Sequence, residues 1–420
     1  MTLIIPAPIK RNMALFALAQ SFTGAGMQFT YGFGPLMVLS LTGSSSLAGV
    51  SVGLIGLSRF LIAYPVGKIS DAYGRKPGIL LGLVLALVGT LTLGTSMQVH
   101  SIGLFVVGLL VFGMGMNAAQ QMRVGAADMF PPSMRAQALG YVALGSLLGL
   151  IVSPSLVNLA DTIGRRTDLD PLGLPWFFIP VLIVGGMIVV SFVRPDPKEI
   201  GMNLGHYYPG YAPPPRPPGG GESKKFSVLQ ILRFTPTRLA IVSNCAAGGN
   251  MSIVMVLTSL VLDHHGHSLV SIAYSHMFHS AGMFAFTIPL GKLADRYGRA
   301  RVMYPGVATS LVGAALLAFT GSYWSVTLGT FLVGIGWAAA NVAATAMIAD
   351  NAPTEQRGRA IGVNDSCAGA TSVFAALVTG PLIDHYGLPA TGLTAVLLAA
   401  VPFAMLLMGG RTKANVDRAA

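Results

Sequence analysis

Apolar residues along this chain neither alternate at a period of two nor keep to a narrow stripe. They fill runs of roughly the length that a bilayer core of about 30 Å requires, which is about 20 helical residues. Twelve such runs are legible, at 12–39, 46–69, 77–97, 101–127, 134–160, 173–193, 237–262, 270–291, 302–320, 324–349, 358–383 and 388–409. Short polar segments rich in Gly, Pro, Asp and Arg separate them. The pattern predicts an all-α integral membrane protein of twelve transmembrane helices. The first run follows Lys10 and Arg11 as a signal peptide would, but its length and the eleven runs behind it predict that it is retained.

Composition agrees. Residues AVILMFWYC make up 53% of the 420 positions and charged residues only 10%, against about 25% charged in soluble domains. The net charge is 26 − 15 = +11, a value that elsewhere suggests nucleic acid. Position removes that reading. With both termini placed in the cytoplasm, every Lys and Arg except Arg59, Arg165 and Arg166 falls on the cytoplasmic side, which is the positive-inside asymmetry. The excess charge therefore reports orientation and attraction to a lipid bilayer with anionic headgroups, and no nucleic-acid partner is expected. Two cysteines exclude a disulfide scaffold and Cys-rich zinc modules.

The chain repeats itself. Pro65 to Arg75 reads PVGKISDAYGR and Pro289 to Arg299 reads PLGKLADRYGR; Asp128, Arg135 and Gly140 recur as Asp350, Arg357 and Gly362. Two six-helix halves follow, 12–193 and 237–410, the second carrying a candidate metal site. A Pro- and Gly-rich stretch, 194–236, joins them as an extended cytoplasmic linker to which no chemistry is assigned. Within the linker, Phe226 to Phe234 is expected to lie on the inner leaflet as a short interfacial helix. The duplicated G-x-[LI]-[SA]-D-x-x-G-R pattern resembles the signature loop of the major facilitator superfamily, and the resemblance covers nearly the whole chain. It implies the twelve-helix major facilitator fold with two pseudo-repeats, secondary transport in place of enzymatic chemistry, and a cytoplasmic gate at Asp71, Arg75, Arg135, Asp295, Arg299 and Arg357. No GxxxxGK[ST] loop is present to cradle ATP phosphates.

Cargo has to be read from polar and soft residues at membrane depth. The seventh run carries Met251 and Met255, and the eighth carries His276, His279 and Met283, each set on one helical face. By helix rise both sets lie about 10 to 20 Å below the outer ends of their helices. The outer loop between them holds Asp263, His264, His265 and His267. Thioether and imidazole suit Cu(I) and serve Mg²⁺ or Ca²⁺ poorly. Core packing is the competing reading, since Met readily fills gaps. At these four positions, Met251, Met255, His279 and Met283, the chain also resembles the CcoA-like copper importers of bacteria. That resemblance implies a copper ion as transported substrate, import across the bacterial inner membrane for cytochrome c oxidase assembly, and a copper chaperone as partner. No resident cofactor is expected. In this scheme His264, His265, His267 and Asp263 gather the ion, His276 assists, and Cys245 and Cys367 form an inner relay. Small apolar packing is the alternative for both cysteines. Asp365 is the candidate for proton coupling, and Arg59 either neutralises it or contacts an anionic cargo. Two other functions stay open: proton-coupled transport of an organic solute such as a flavin or a drug, and copper sensing without transport.

Overall fold

A computed structural model of the chain describes residues 5–131, 134–167, 169–209, 235–351 and 357–416. Regular structure in them is entirely helical. The helices are α1 (Ala7–Thr42), α2 (Val50–Tyr73), α3 (Arg75–Gln98), α4 (Ile102–Ala119), α5 (Gln121–Asp128), α6 (Arg135–Gly164), α7 (Pro175–Ser191), α8 (Pro197–Met202) and α9 (Leu204–Tyr207), followed by α10 (Thr235–His264), α11 (Leu269–Ala285), α12 (Thr287–Tyr297), α13 (Arg299–Phe319), α14 (Tyr323–Asn351) and α15 (Arg357–Val416).

Each apolar run coincides with helix, with three differences. The fourth run divides into α4 and α5 at Gln120, and the eighth into α11 and α12 at Phe286. The last two runs join as α15, whose helical backbone is interrupted at Gly387, with φ of 79°. Among the described residues, seven stretches are long and apolar enough to cross a membrane; α7 is an eighth apolar helix of shorter length. The break at Phe286 leaves α11 and α12 individually too short to qualify, although together they cover the expected span.

The chain forms two compact units, Met1–Gly43 with Gly53–Gly219, and Ser44–Val52 with Gly220–Ala420. In the first, α3 and α4 approach so closely that a Cβ at Gly115 would collide with the Ala86 backbone nitrogen; small residues at the crossing permit that distance. The α1–α4–α7 core closes on Trp176, whose ring meets Phe112 edge-on at 5.3 Å and whose Nε1 donates to the Met37 sulfur at 3.2 Å.

In the second unit α10 is almost wholly buried, so its side chains face protein on nearly every side. Segment 44–52, which connects α1 to α2, belongs to this unit. Its 3₁₀ turn, Ser45–Leu47, places the Ser45 and Ser46 hydroxyls on the two carboxylate oxygens of Asp384, each at 2.5 Å.

Candidate functional site

The α10–α11 hairpin carries the methionines and histidines singled out by spacing. The Ser259 hydroxyl and His276 Nε2 meet at 2.8 Å, which fixes the register of the two antiparallel helices. Three or four residues farther from the turn on each helix, Met255 is level with His279, and four farther still, Met251 with Met283. Met255, His276 and His279 are buried, while Met251 and Met283 are half-buried.

His279 turns towards α14. Its Nδ1 lies 2.7 Å from the Thr330 carbonyl oxygen, and since a carbonyl only accepts, the proton is on Nδ1 and the Nε2 lone pair is left over. Nε2 of His279 and Nδ1 of His276 are both buried without a hydrogen-bond partner among the described residues. Nearby polar groups on the same helices are neutral: Asn341 donates to Asn244 at 3.1 Å and Asn250 to the Ala395 carbonyl at 2.8 Å.

Beyond this site the loop between α10 and α11 turns at Gly266, with φ of 75°. Asp263, His264 and His265 are exposed and His267 is half-buried. These histidines make separate contacts: His265 Nδ1 with the Val261 carbonyl at 2.8 Å, and His267 with the Tyr323 ring at 5.6 Å. Among the described residues, no three His, Cys, Asp or Glu side chains gather in a way that could hold a metal ion. The free thiols Cys245 and Cys367 pack against one apolar cluster containing Met303, Ala343 and Ile348.

The duplicated loops form matching ion networks. In the first unit Arg75 Nε donates to Asp128 at 2.7 Å and its Nη1 to Asp71 at 3.0 Å. In the second, Arg299 Nε donates to Asp350 at 3.0 Å and Nη1 pairs with Asp295. The side chains of Arg135 and Arg357, which the resemblance also places at the gate, lie outside the described residues, as does Phe226 to Phe234.

The two loops differ in one component that the sequence reading missed. Asp196, inside the stretch to which no chemistry was assigned, accepts from the backbone N–H groups of Arg75 and Lys76, both at 3.0 Å, and from Lys198 N–H at 2.9 Å. One carboxylate thus caps both α3 and α8. The Lys198 ammonium donates to the Asp71 carbonyl, and Asn12 donates to the Pro195 carbonyl at 3.0 Å. Farther along, the Tyr208 phenol donates to the Met129 carbonyl at 3.3 Å, and burial pushes its pKa up to about 12. The first part of the linker is therefore a structural strap. The available signal was Asp196-Pro197, an N-cap residue followed by proline in the first helical turn.

Arg59 is exposed on α2, and its electrostatic neighbours include the half-buried Tyr31 and Arg123, both in its own unit. Asp365 is exposed on α15 and accepts from Asn364 at 3.1 Å. Spacing alone did not single out Arg123.

Comparison with known proteins places this architecture. The Major Facilitator Superfamily model matches residues 16–276 and 239–419. The chain is 26% identical over 386 residues to the riboflavin transporter RfnT of Brucella anthropi, covering 90% of each protein. To the multidrug resistance protein MdtG of Enterobacter lignolyticus it is 26% identical over 408 residues, covering 93% of this chain and 91% of that one. Among solved structures, the nucleoside transporter NupG superposes with a TM-score of 0.66 at 13% identity, over 95% of this chain and 99% of that one. With duplicated loops and a family model spanning nearly its full length, the chain belongs to the major facilitator superfamily and is a multi-pass membrane transporter.

Proposed function

We propose that this secondary transporter carries a small organic solute, flavin-like or drug-like, across the bacterial cytoplasmic membrane. The observation that carries the reading is the buried polar seam on α10, α11 and α14, where Ser259, His276, His279, Thr330 and the Asn244–Asn341 pair offer neutral hydrogen-bonding groups at membrane depth. Such groups suit a polar organic ring system better than a bare cation. Relatives matching nine-tenths of the chain are named for riboflavin and for drugs. Asp365 remains the residue proposed for coupling to protons.

Copper import, the expectation from the Met and His spacing, is the second reading, and one observation favours it. A ligating imidazole usually donates its other ring N–H to a carbonyl or carboxylate, and His279 does so to Thr330, level with Met255. The RfnT and MdtG relatives are not named for copper, so this reading rests on the four residues alone.

Uptake into proteoliposomes decides between the two. Under an imposed proton gradient, labelled riboflavin or a member of a drug panel is expected to accumulate above empty vesicles, while labelled copper does not. Copper accumulation that disappears in a Met251→Ala, His279→Ala double variant would overturn the organic-solute reading.

A further inference from the structure

We propose that Arg59 and Arg123 together bind an anionic group, a carboxylate or a phosphate, on the transported solute. The proposal deepens the organic-solute reading, on which it rests, by adding an acidic group to the cargo.

The argument begins with the supply of negative charge. Before Asp161, the chain contains two carboxylates only, Asp71 and Asp128. Both bond to Arg75. Asp161 pairs with Arg165 at 2.9 Å, and Asp196 is occupied by backbone N–H groups of α3 and α8. None of these four carboxylates pairs with Arg59 on α2 or with Arg123 on α5.

Arg59 on α2 and Arg123 on α5 lie within electrostatic reach, and Tyr31 of α1 lies within reach of Arg59. The Nε of Arg123 is closed off from solvent and has no hydrogen-bond partner among the described residues. Neither arginine forms an ion pair among them, where the pairs are those of Arg75, Arg165 and Arg299. Like charges within electrostatic reach of each other repel, so this arrangement leaves a demand for an anion unmet. Guanidinium groups answer it with paired N–H donors that match the two oxygens of a carboxylate or the edge of a phosphate. Arg59 is exposed, which leaves the pair an open side for a solute to enter.

The test measures binding without transport. Full-length protein, purified in lipid-free detergent so that no headgroup phosphate competes, is unfolded thermally in the presence of benzoate, phenyl phosphate or neutral benzyl alcohol. The anions are expected to raise the unfolding midpoint, and the alcohol is expected to leave it unchanged; the stronger of the two anions identifies the preferred group. Arg59→Gln and Arg123→Gln should each weaken anion binding at least about tenfold, as removal of one half of a charge-assisted contact does. Without anion, each variant should melt at or above the wild-type midpoint, because one of two repelling charges has gone. Equal anion responses in wild type and both variants would overturn the proposal, as would destabilisation of the anion-free variants, which indicates a structural partner for the arginines. Failure of the organic-solute reading would show separately, in the uptake assay.

Discussion

Replacing Asp196 tests whether the beginning of the linker is a working part of the fold. One carboxylate oxygen accepts from Arg75 and Lys198 N–H groups and the other from Lys76 N–H, at 2.9 to 3.0 Å. Asp196→Ala uncaps two helices at once. An N-cap is worth about 0.5–2 kcal/mol, and the charge at the start of α3 adds about 0.3–1 kcal/mol through the helix dipole. The expected loss is about 2–4 kcal/mol. Asp196→Asn keeps one oxygen for Arg75 and Lys198 but points an N–H₂ group at Lys76 N–H, losing one bond and the charge. That variant should lose about 1–2 kcal/mol, since a hydrogen bond to a charged acceptor is worth about 1.5–3 kcal/mol and part of it is recovered by water. Unfolding of the full chain by titrated denaturing detergent gives the comparison. Stability should fall in the order wild type, Asn, Ala. An alanine variant within about 0.5 kcal/mol of wild type, below the smallest cap contribution, would refute the reasoning, and so would an asparagine variant less stable than the alanine one.

Other comparisons exploit the near-symmetry of the two units. Gly74→Ala and Gly298→Ala both force a side chain onto positive φ, 104° and 99°, but only at Gly74 would the new Cβ meet a neighbour, the Asp196 carboxylate at 2.7 Å. Both should destabilise, Gly74→Ala by about 1 kcal/mol more, measured by the same titration. Asp128→Asn should cost more than Asp350→Asn, because the Asp128 side chain is 28% exposed and Asp350 56%; about 1–2 against under about 1 kcal/mol is expected, and equal losses would show that solvent screening does not separate the two loops. Asp384→Ala removes the acceptor of both Ser45 and Ser46, so amide exchange in 44–52 should rise about tenfold for each 1.4 kcal/mol lost, while unchanged protection would show that the clasp does not hold that segment.

The helices were legible because the bilayer imposes one length and one composition on every span. The exceptions arise where a single span is locally irregular: Phe286 and Gln120 break their helices, and no composition signal marks either residue. The paired loop networks were legible because they are written twice. Two copies of Asp-x-x-Gly-Arg at matching places identified Asp71, Arg75, Asp295 and Arg299, and the structure closes each arginine onto the acid that heads the second duplicated motif, Asp128 or Asp350. Asp196 escaped for the opposite reason. Among the described residues it has no counterpart in the second half, where nothing lies within 4 Å of a Cβ placed at Gly298, so comparison of the repeats could not reveal it.

Cargo is the least legible part, and the reason lies in what spacing can express. A Met or His four residues from another fixes a shared face and a shared depth, and the Ser259–His276 contact supports that level arrangement across the α10–α11 hairpin. Spacing cannot express which way a ring turns about its own bonds. His279 turns to Thr330 on α14, a helix remote in sequence, and this partner alone decides which ring nitrogen keeps its lone pair. The same limit hid Arg123: its significance comes from a second arginine sixty-four positions earlier and from an absence of acids, which becomes visible only after Asp71 and Asp128 have been assigned to Arg75. The recognition proposed for this chain therefore rests on side chains from different helices of each unit, neutral groups in the second and Arg59 and Arg123 in the first. Uptake and anion-binding measurements on Arg59 and His279 variants address those two halves independently.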